Sequence, residues 1–298
     1  MRDIWRRSTP LFAMLLSAGI VTLAHAPRAH AGAWTQPDRG LYAKLSLGFA
    51  GADQQYKETG ETFQLLSDDV AGTFDSTAAF AYVEYGLLPR LTVYANAGFQ
   101  SLNLESDLQR ARVSGLSDVW FGVRAGILTD GPVVLSAHAV TKSPTGYTAD
   151  PDPMVPTLGN GVREHELGLS LGASLWPRPF YGSLTAAYRL RGSRQAAGGE
   201  QIEMFDEIPI MAEVGWAPHP SLWIRGLAQG VIGLGPPESL DIFNLTPLTQ
   251  SYLKVGPGLI LTIPGGIQLS LDVMLTPWGI NTVQSVDGIV GIAYEFAP

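Results

Sequence analysis

The chain has 298 residues and no cysteine, with 15% charged and 46% hydrophobic residues and a formal net charge of −8 at neutral pH. A soluble domain carries nearer a quarter charged residues, and a disordered chain is far less hydrophobic. No apolar run reaches the ~18 residues of a spanning helix, so a helical membrane protein is excluded and two classes remain: an unusual soluble sheet protein or a membrane β-barrel. The acidic balance argues against nucleic acid as a partner.

In chain order, residues 1–31 read as a secretory signal peptide. Arg2, Arg6 and Arg7 form its positive start, Leu11–Leu23 its apolar stretch, and Ala29-His30-Ala31 a small-residue cleavage pattern. Ala24-His25-Ala26 is a second such pattern, but cutting there leaves Pro27 at the new terminus. Ser8-Thr9-Pro10 after Arg6-Arg7 is a poor continuation for twin-arginine export. Residues 32–298 are then the exported chain, with no disulfide to staple it.

From Gly40 onward the apolar period is two, the period of a strand. Leu41, Ala43, Leu45, Leu47 and Phe49 share one face, and Tyr42, Lys44, Ser46 and Gly48 the other. The alternation returns over 91–99, 119–127, 167–175, 208–216, 267–275 and 286–296, and more weakly near 79–85, 133–139, 180–190, 222–228 and 253–263. Tight connections at 86–90, 129–132, 176–179, 218–220 and 264–266 alternate with long polar ones near 51–76, 102–114, 143–161, 192–205, 233–250 and 277–283. This predicts an all-β fold: a single 12-stranded antiparallel transmembrane β-barrel over 32–298, with short periplasmic turns and long extracellular loops. Its place is the outer membrane of a Gram-negative bacterium.

Charge placement tests this independently. The faces assigned outward carry no charged residue, as lipid contact demands when a midplane Arg or Lys costs roughly 2–4 kcal/mol. Tyr85, Phe180, Trp216, Tyr294 and Phe296 face outward beside short turns or the C-terminus, which predicts an interfacial girdle at the periplasmic boundary.

Several segments are also familiar as a set. They are Glu84-Tyr85-Gly86-Leu87 through Pro89-Arg90-Leu91-Thr92, then Gly115–Arg124, then Lys142-Ser143-Pro144-Thr145-Gly146 with Gly159 and Gly161. In these the chain resembles the family of outer-membrane transporters named for the meta-cleavage pathway of phenol degradation. The resemblance implies a barrel that carries aromatic or other hydrophobic compounds. One departure is that Ala297-Pro298 follow Phe296, where outer-membrane strands usually end on the aromatic residue.

The inward faces supply the candidate solute path: Lys44, Tyr82, Glu84, Tyr94, Asp118, Trp120, Arg124, His138, Glu166, Arg189, Glu213, Arg225, Lys254 and Asp272. Basic and acidic residues are nearly balanced, so the lining is not that of a one-sign ion filter. Either the charges pair across neighbouring strands, or the pairs form a selective constriction. The rings either fill space or pass an aromatic solute by successive stacking. Gly256-Pro257-Gly258 interrupts the tenth strand. Proline cannot donate to a ladder, which predicts a bulge or gap: a curvature device, or a lateral opening into the lipid. The first long loop, with Tyr56, Phe63, Leu65, Leu66 and Phe74 among acids, is either a hatch over the mouth or a solvated loop.

Enzymatic chemistry finds little support. Ser136 and His138 share a stripe, but no acid is evidently placed to orient the imidazole. The histidines lack metal-ligand spacing, and Asp150 and Asp152 are separated by prolines. No cofactor is implied. The expected function is passive uptake of small hydrophobic or aromatic solutes. The alternatives are a structural or adhesive barrel with a plugged lumen and, less favoured, an outer-membrane hydrolase. The expected partners are outer-membrane lipid, the solute and the barrel-assembly machinery, with a monomer favoured.

Overall fold

A computed structural model describes residues 32–67, 70–107, 110–147, 156–175, 177–195, 201–237 and 247–298. Residues 1–31, where the sequence predicts a signal peptide, and Trp176, Asp150 and Asp152 lie outside the described residues. Twelve strands form the barrel: β1 (Leu41–Ala52), β2 (Val70–Leu88), β3 (Leu91–Ser106), β4 (Val119–Leu128), β5 (Val133–Ser143), β6 (Glu164–Ser174), β7 (Phe180–Arg191), β8 (Glu207–His219), β9 (Leu222–Gly233), β10 (Ser251–Ile263), β11 (Ile267–Ile280) and β12 (Val286–Phe296). Each pairs antiparallel with its chain neighbours, and β1 pairs with β12 to close the cylinder. Closure answers every strand's backbone hydrogen bonds inside the sheet, which is what permits a chain to cross lipid.

The alternation sorts side chains as expected. Leu45 is 63% exposed on the outer wall, Phe121 58%, Leu167 63% and Ile292 51%, so the largest exposed apolar surface is the lipid-facing one. Tyr85, Phe180, Trp216, Tyr294 and Phe296 are all exposed at the short-turn end, and Phe180 stacks on Trp216 with ring centroids 6.3 Å apart. The five short turns fall where the sequence places them, with Gly265 and Gly266 both at positive φ in the last.

The long-loop end differs from the expectation. β2 begins at Val70 rather than near 79, and β3 runs to Ser106, where it pairs with a further strand, Arg110–Leu116. The second loop is therefore a hairpin that prolongs the sheet beyond the lipid. The physical reason is that above the membrane the outer face of a strand meets water. Thr73, Asp75, Asn103 and Glu105 take the outward positions that apolar residues hold lower down, while Phe74, Leu102 and Leu104 turn inward, so the apolar alternation reverses.

The first loop is also structured. Gln54–Tyr56 and Thr62–Ser67 form a hairpin that pairs with Thr282–Val283 between β11 and β12. Leu65 and Leu104, each 2% exposed, make a small core there with Phe74 and Val283, and Tyr56 OH donates to Thr276 O at 2.9 Å.

Candidate functional site: the lumen

A segment upstream of β1 crosses the short-turn end of the lumen. Trp34 packs edge-on against Tyr181 at 6.4 Å, and its carbonyl accepts from Arg124 Nη1 at 3.0 Å. Gln36, 1% exposed, donates its backbone N–H to Thr92 Oγ1 at 2.8 Å and its amide to Glu84 Oε2 at 2.9 Å. The segment thus touches β2, β3, β4 and β7 before the chain turns into β1. Periodicity could not have placed it, because its anchors are polar groups distant in sequence.

The anchors form one cluster. Arg124 Nη2 donates to Glu84 Oε1 at 3.1 Å, Tyr82 OH donates to the same carboxylate, and Arg124 lies over the Tyr94 ring at 5.2 Å. Gly122 makes this possible, since a Cβ there would stand 2.3 Å from the Tyr94 ring. Tyr42, Tyr82 and Tyr94 follow one another along β1, β2 and β3 with successive centroid separations of 6.3 Å.

Higher on the wall, β4 to β8 carry a continuous belt of ion pairs. Lys142 bridges Asp118 and Glu164 at 2.9 Å each. Arg191 bridges Glu164 at 3.2 Å and Glu207 at 2.8 Å, and Arg189 bridges Glu207 at 3.0 Å and Glu166 at 2.9 Å. His138 Nε2 meets Glu166 Oε1 at 3.2 Å. The register dictates most of this: Lys142 stands opposite Glu164, Arg189 opposite both Glu166 and Glu207, and Arg191 opposite Glu164. Directly opposed residues are the closest neighbours a sheet offers. Trp120 lies beneath the belt, 5.7 Å from the Lys142 ammonium and 5.4 Å from the Arg189 guanidinium.

The opposite wall is less complete. Arg225 bridges Glu213 at 3.2 Å and Asp272, and Lys254 pairs with Asp287. Arg225 Nε, Ser270 Oγ and Asp287 Oδ1 are nevertheless buried without a hydrogen-bond partner. Between the two walls, toward the long loops, lies a cavity of about 540 Å³ whose lining includes Phe74, Phe80, Trp120 and Tyr252, with Asn96, Gln100, Asp118, Lys142, Gln250, Lys254 and Asp287 among its polar groups. That is the size range of small-molecule sites. Tyr147, in the third long loop, closes one side by donating to Asp118 while accepting from Gly161 N at 3.0 Å.

The structure therefore groups the fourteen expected lumen residues into three sets, with Lys44 and Lys254 beside them. Tyr82, Glu84, Tyr94 and Arg124 hold the N-terminal segment; Asp118, Trp120, His138, Glu166 and Arg189 belong to the belt; Glu213, Arg225 and Asp272 form the opposite cluster. Trp34, Gln36 and Thr92 were missed.

Gly256-Pro257-Gly258 stays laddered to β9, with Gly226 opposite Pro257. The irregularity falls against β11: from Leu253↔Trp278 to Val255↔Leu275, β11 advances one residue more than β10. The extra residue lies at Thr276-Pro277, so the bulge belongs to β11. At Gly256 the two backbones touch, since a Cβ would stand 1.7 Å from Val273 O. Ser136 Oγ is buried without a partner, while His138 is turned to Glu166. Among the described residues no cluster of His, Asp and Glu could hold a metal ion.

Protein-family profiles give no match to this chain, nor do curated protein sequences. Among solved structures it is similar to the COG4313 outer membrane channel from Pseudomonas putida F1, at 13% identity and a TM-score of 0.70 over 91% of this chain and 100% of that one. Looser overlaps include the translocator domain of autotransporter NalP from Neisseria meningitidis (TM-score 0.47, 11% identity, 96% and 95% covered) and the CymD monoaromatic hydrocarbon channel (TM-score 0.45, 8% identity, 88% and 90% covered). The fold class is thus that of outer-membrane barrels: twelve strands, closed and transmembrane.

Proposed function

We propose that this protein is an outer-membrane channel for passive uptake of small hydrophobic or aromatic solutes, exported by residues 1–31 and inserted as a monomer by the barrel-assembly machinery. The observation that carries the reading is the 540 Å³ lumenal cavity, which has Phe74, Phe80, Trp120 and Tyr252 in its lining while its charges, Lys142 with Asp118 and Lys254 with Asp287, are already paired. Paired charges offer little to a free ion, whereas ring faces favour flat apolar solutes by stacking. From that cavity the Tyr94, Tyr82 and Tyr42 rings continue toward the short-turn end. The family resemblance read from the sequence points the same way.

A second reading, a plugged structural barrel, is favoured by the N-terminal segment held by Glu84, Thr92 and Arg124. One experiment separates the two. The mature chain is refolded into planar bilayers and into liposomes, alongside a variant lacking residues 32–37, and conductance and benzyl alcohol uptake are measured. The channel reading expects a small steady conductance that benzyl alcohol reduces, rising severalfold in the truncated variant. Absence of both conductance and uptake in both proteins would overturn it and leave the structural barrel.

A further inference from the structure

Among the described residues the lumen-facing cations of the twelve strands are partnered with one exception. Arg124, Lys142, Arg189, Arg191, Arg225 and Lys254 each have a carboxylate within ion-pair distance. Among the described residues Lys44, on the inward face of β1, has neither an ion pair nor a hydrogen bond. It is only partly exposed, and its nearest acidic neighbour along the wall, Asp272, is engaged by Arg225.

The surroundings of Lys44 are built for a ligand rather than for a partner side chain. Lys44 stands opposite Ala293 on one side and Tyr82 on the other, and Ser46 opposite Gly291, itself opposite Ser270. Gly291 makes room for the lysine stem, a recess that Lys44 itself fills. Lys44 Cε, Ser270 Oγ and Ser46 Oγ all lie within 3.0 Å of the point where a Cβ on Gly291 would stand. Ser270 Oγ has no partner of its own. Two strands further round, Arg225 Nε is a second donor without an acceptor. Tyr82 stands opposite Lys44, and its ring packs edge-on against Tyr42. An unpaired ammonium, a hydroxyl free to donate and flanking rings together describe a receptor for an anionic head on a flat body. Hydrogen bonds between a charged donor and a carboxylate are among the strongest available to a protein.

We infer that Lys44, with Ser270 and Ser46, forms a carboxylate-binding station on the β1–β12–β11 wall, and that the solutes it selects are aromatic monocarboxylates. This rests on the channel reading for its physiological meaning, but binding at the station does not require conduction. The test is therefore equilibrium binding to the refolded mature chain in detergent micelles, by calorimetry, with benzoate and its neutral isostere benzamide. Wild type is expected to bind benzoate about tenfold more tightly than benzamide. Lys44→Gln is expected to weaken benzoate about tenfold with benzamide unchanged, Lys44→Arg to retain most of the preference, and Ser270→Ala to cost about threefold.

Equal binding of the two compounds by wild type, or a Lys44→Gln variant that keeps the preference, would overturn the station while leaving channel activity intact. A loss of both compounds in Lys44→Gln would also overturn it, by showing that the lysine shapes the lumen rather than meets an anion. Failure of the bilayer and liposome measurements, with the benzoate preference intact, would remove the channel and keep the station.

Discussion

The two walls of the lumen are made from the same residue types and solve different problems. On β4 to β8 every carboxylate of the belt meets a cation, usually the one directly opposite in the ladder. On β9 to β12 and β1 the pairs are fewer, and Lys44, Arg225 Nε, Ser270 Oγ and Asp287 Oδ1 keep unused capacity. The first wall has an orphan too, Ser136 Oγ, but it is a hydroxyl behind the belt and not a charge. Saturated charges have no capacity left for a visiting ion, so the charges of the belt hold the cylinder's shape, while Trp120 among them still lines the cavity. An unsaturated wall keeps donors that only a ligand or water can answer. The contrast assigns scaffold to one side of the lumen and recognition to the other.

The sharpest way to break the contrast is to remove a shared carboxylate from the belt. Glu207 is 1% exposed and answers both Arg189 and Arg191. Glu207→Ala leaves two buried guanidiniums competing for Glu164 and Glu166, and is expected to cost about 3–5 kcal/mol. Urea titration of folding in lipid vesicles measures this. A cost below about 1 kcal/mol would mean that the belt is solvated and that the distinction between walls is false.

A backbone effect comes next. Gly256→Ala forces a methyl against Val273 O and is expected to destabilise by about 1–3 kcal/mol, the usual range for overpacking. Because the approach is backbone on backbone, neither strand can yield by rotating a side chain. The same titration would show an unchanged midpoint if β10 and β11 stand apart here in the membrane, as a lateral opening requires.

A smaller effect belongs to the belt's upper edge. Burial, and then the hydrogen bond to Asp118, push the Tyr147 phenol up. Protonated Tyr147 is the form that donates to Asp118. Its contribution is therefore fully present below the unfolded phenol value near ~10 and is lost only as pH rises through the raised folded value. Tyr147→Phe is expected to cost about 1 kcal/mol, by the same amount at pH 7 and pH 9. A cost that changes between those two values would show that the phenol titrates below its ordinary value, so that the bond to Asp118 does not hold it protonated.

How much of this was legible beforehand follows the solvent on each side of the strand. Where one face meets lipid, the alternation is compulsory, and Leu47, Phe121, Leu169 and Val290 could be placed outward from sequence alone. Where the outer face meets water instead, as over 70–78 and 102–116, the apolar residues Phe74, Leu102 and Leu104 move to the inner face among polar neighbours, and strands were read as loops. The N-terminal segment left no periodic trace because Gln36 is fixed by Glu84, 48 residues away. Pro257 drew attention as a ladder breaker, yet the register shifts beside Pro277 one strand over. Proline announces an irregularity without saying which of two neighbouring strands absorbs it. The alternation names candidate inward residues as a set. Their division into a satisfied and an unsatisfied wall was not, because it depends on which residues the register sets face to face.

The smallest stability effect is also the most informative. Lys44 has no partner to strand, so Lys44→Gln leaves no uncompensated carboxylate behind and should change the unfolding free energy by no more than about 0.5 kcal/mol. Placed beside Glu207→Ala, this is a charge deletion on each wall with opposite consequences: one costs folding and spares the recess, the other spares folding and costs the anion. The reason is general. A buried charge that is worth a great deal to the fold has been neutralised by the fold, and is no longer available to anything else. A charge that the fold leaves unneutralised contributes little to stability and keeps its full field for a ligand. If Lys44→Gln destabilised the barrel by several kcal/mol, Lys44 would have a structural partner in the membrane, and the recognition wall would lose its only uncommitted cation among the described residues.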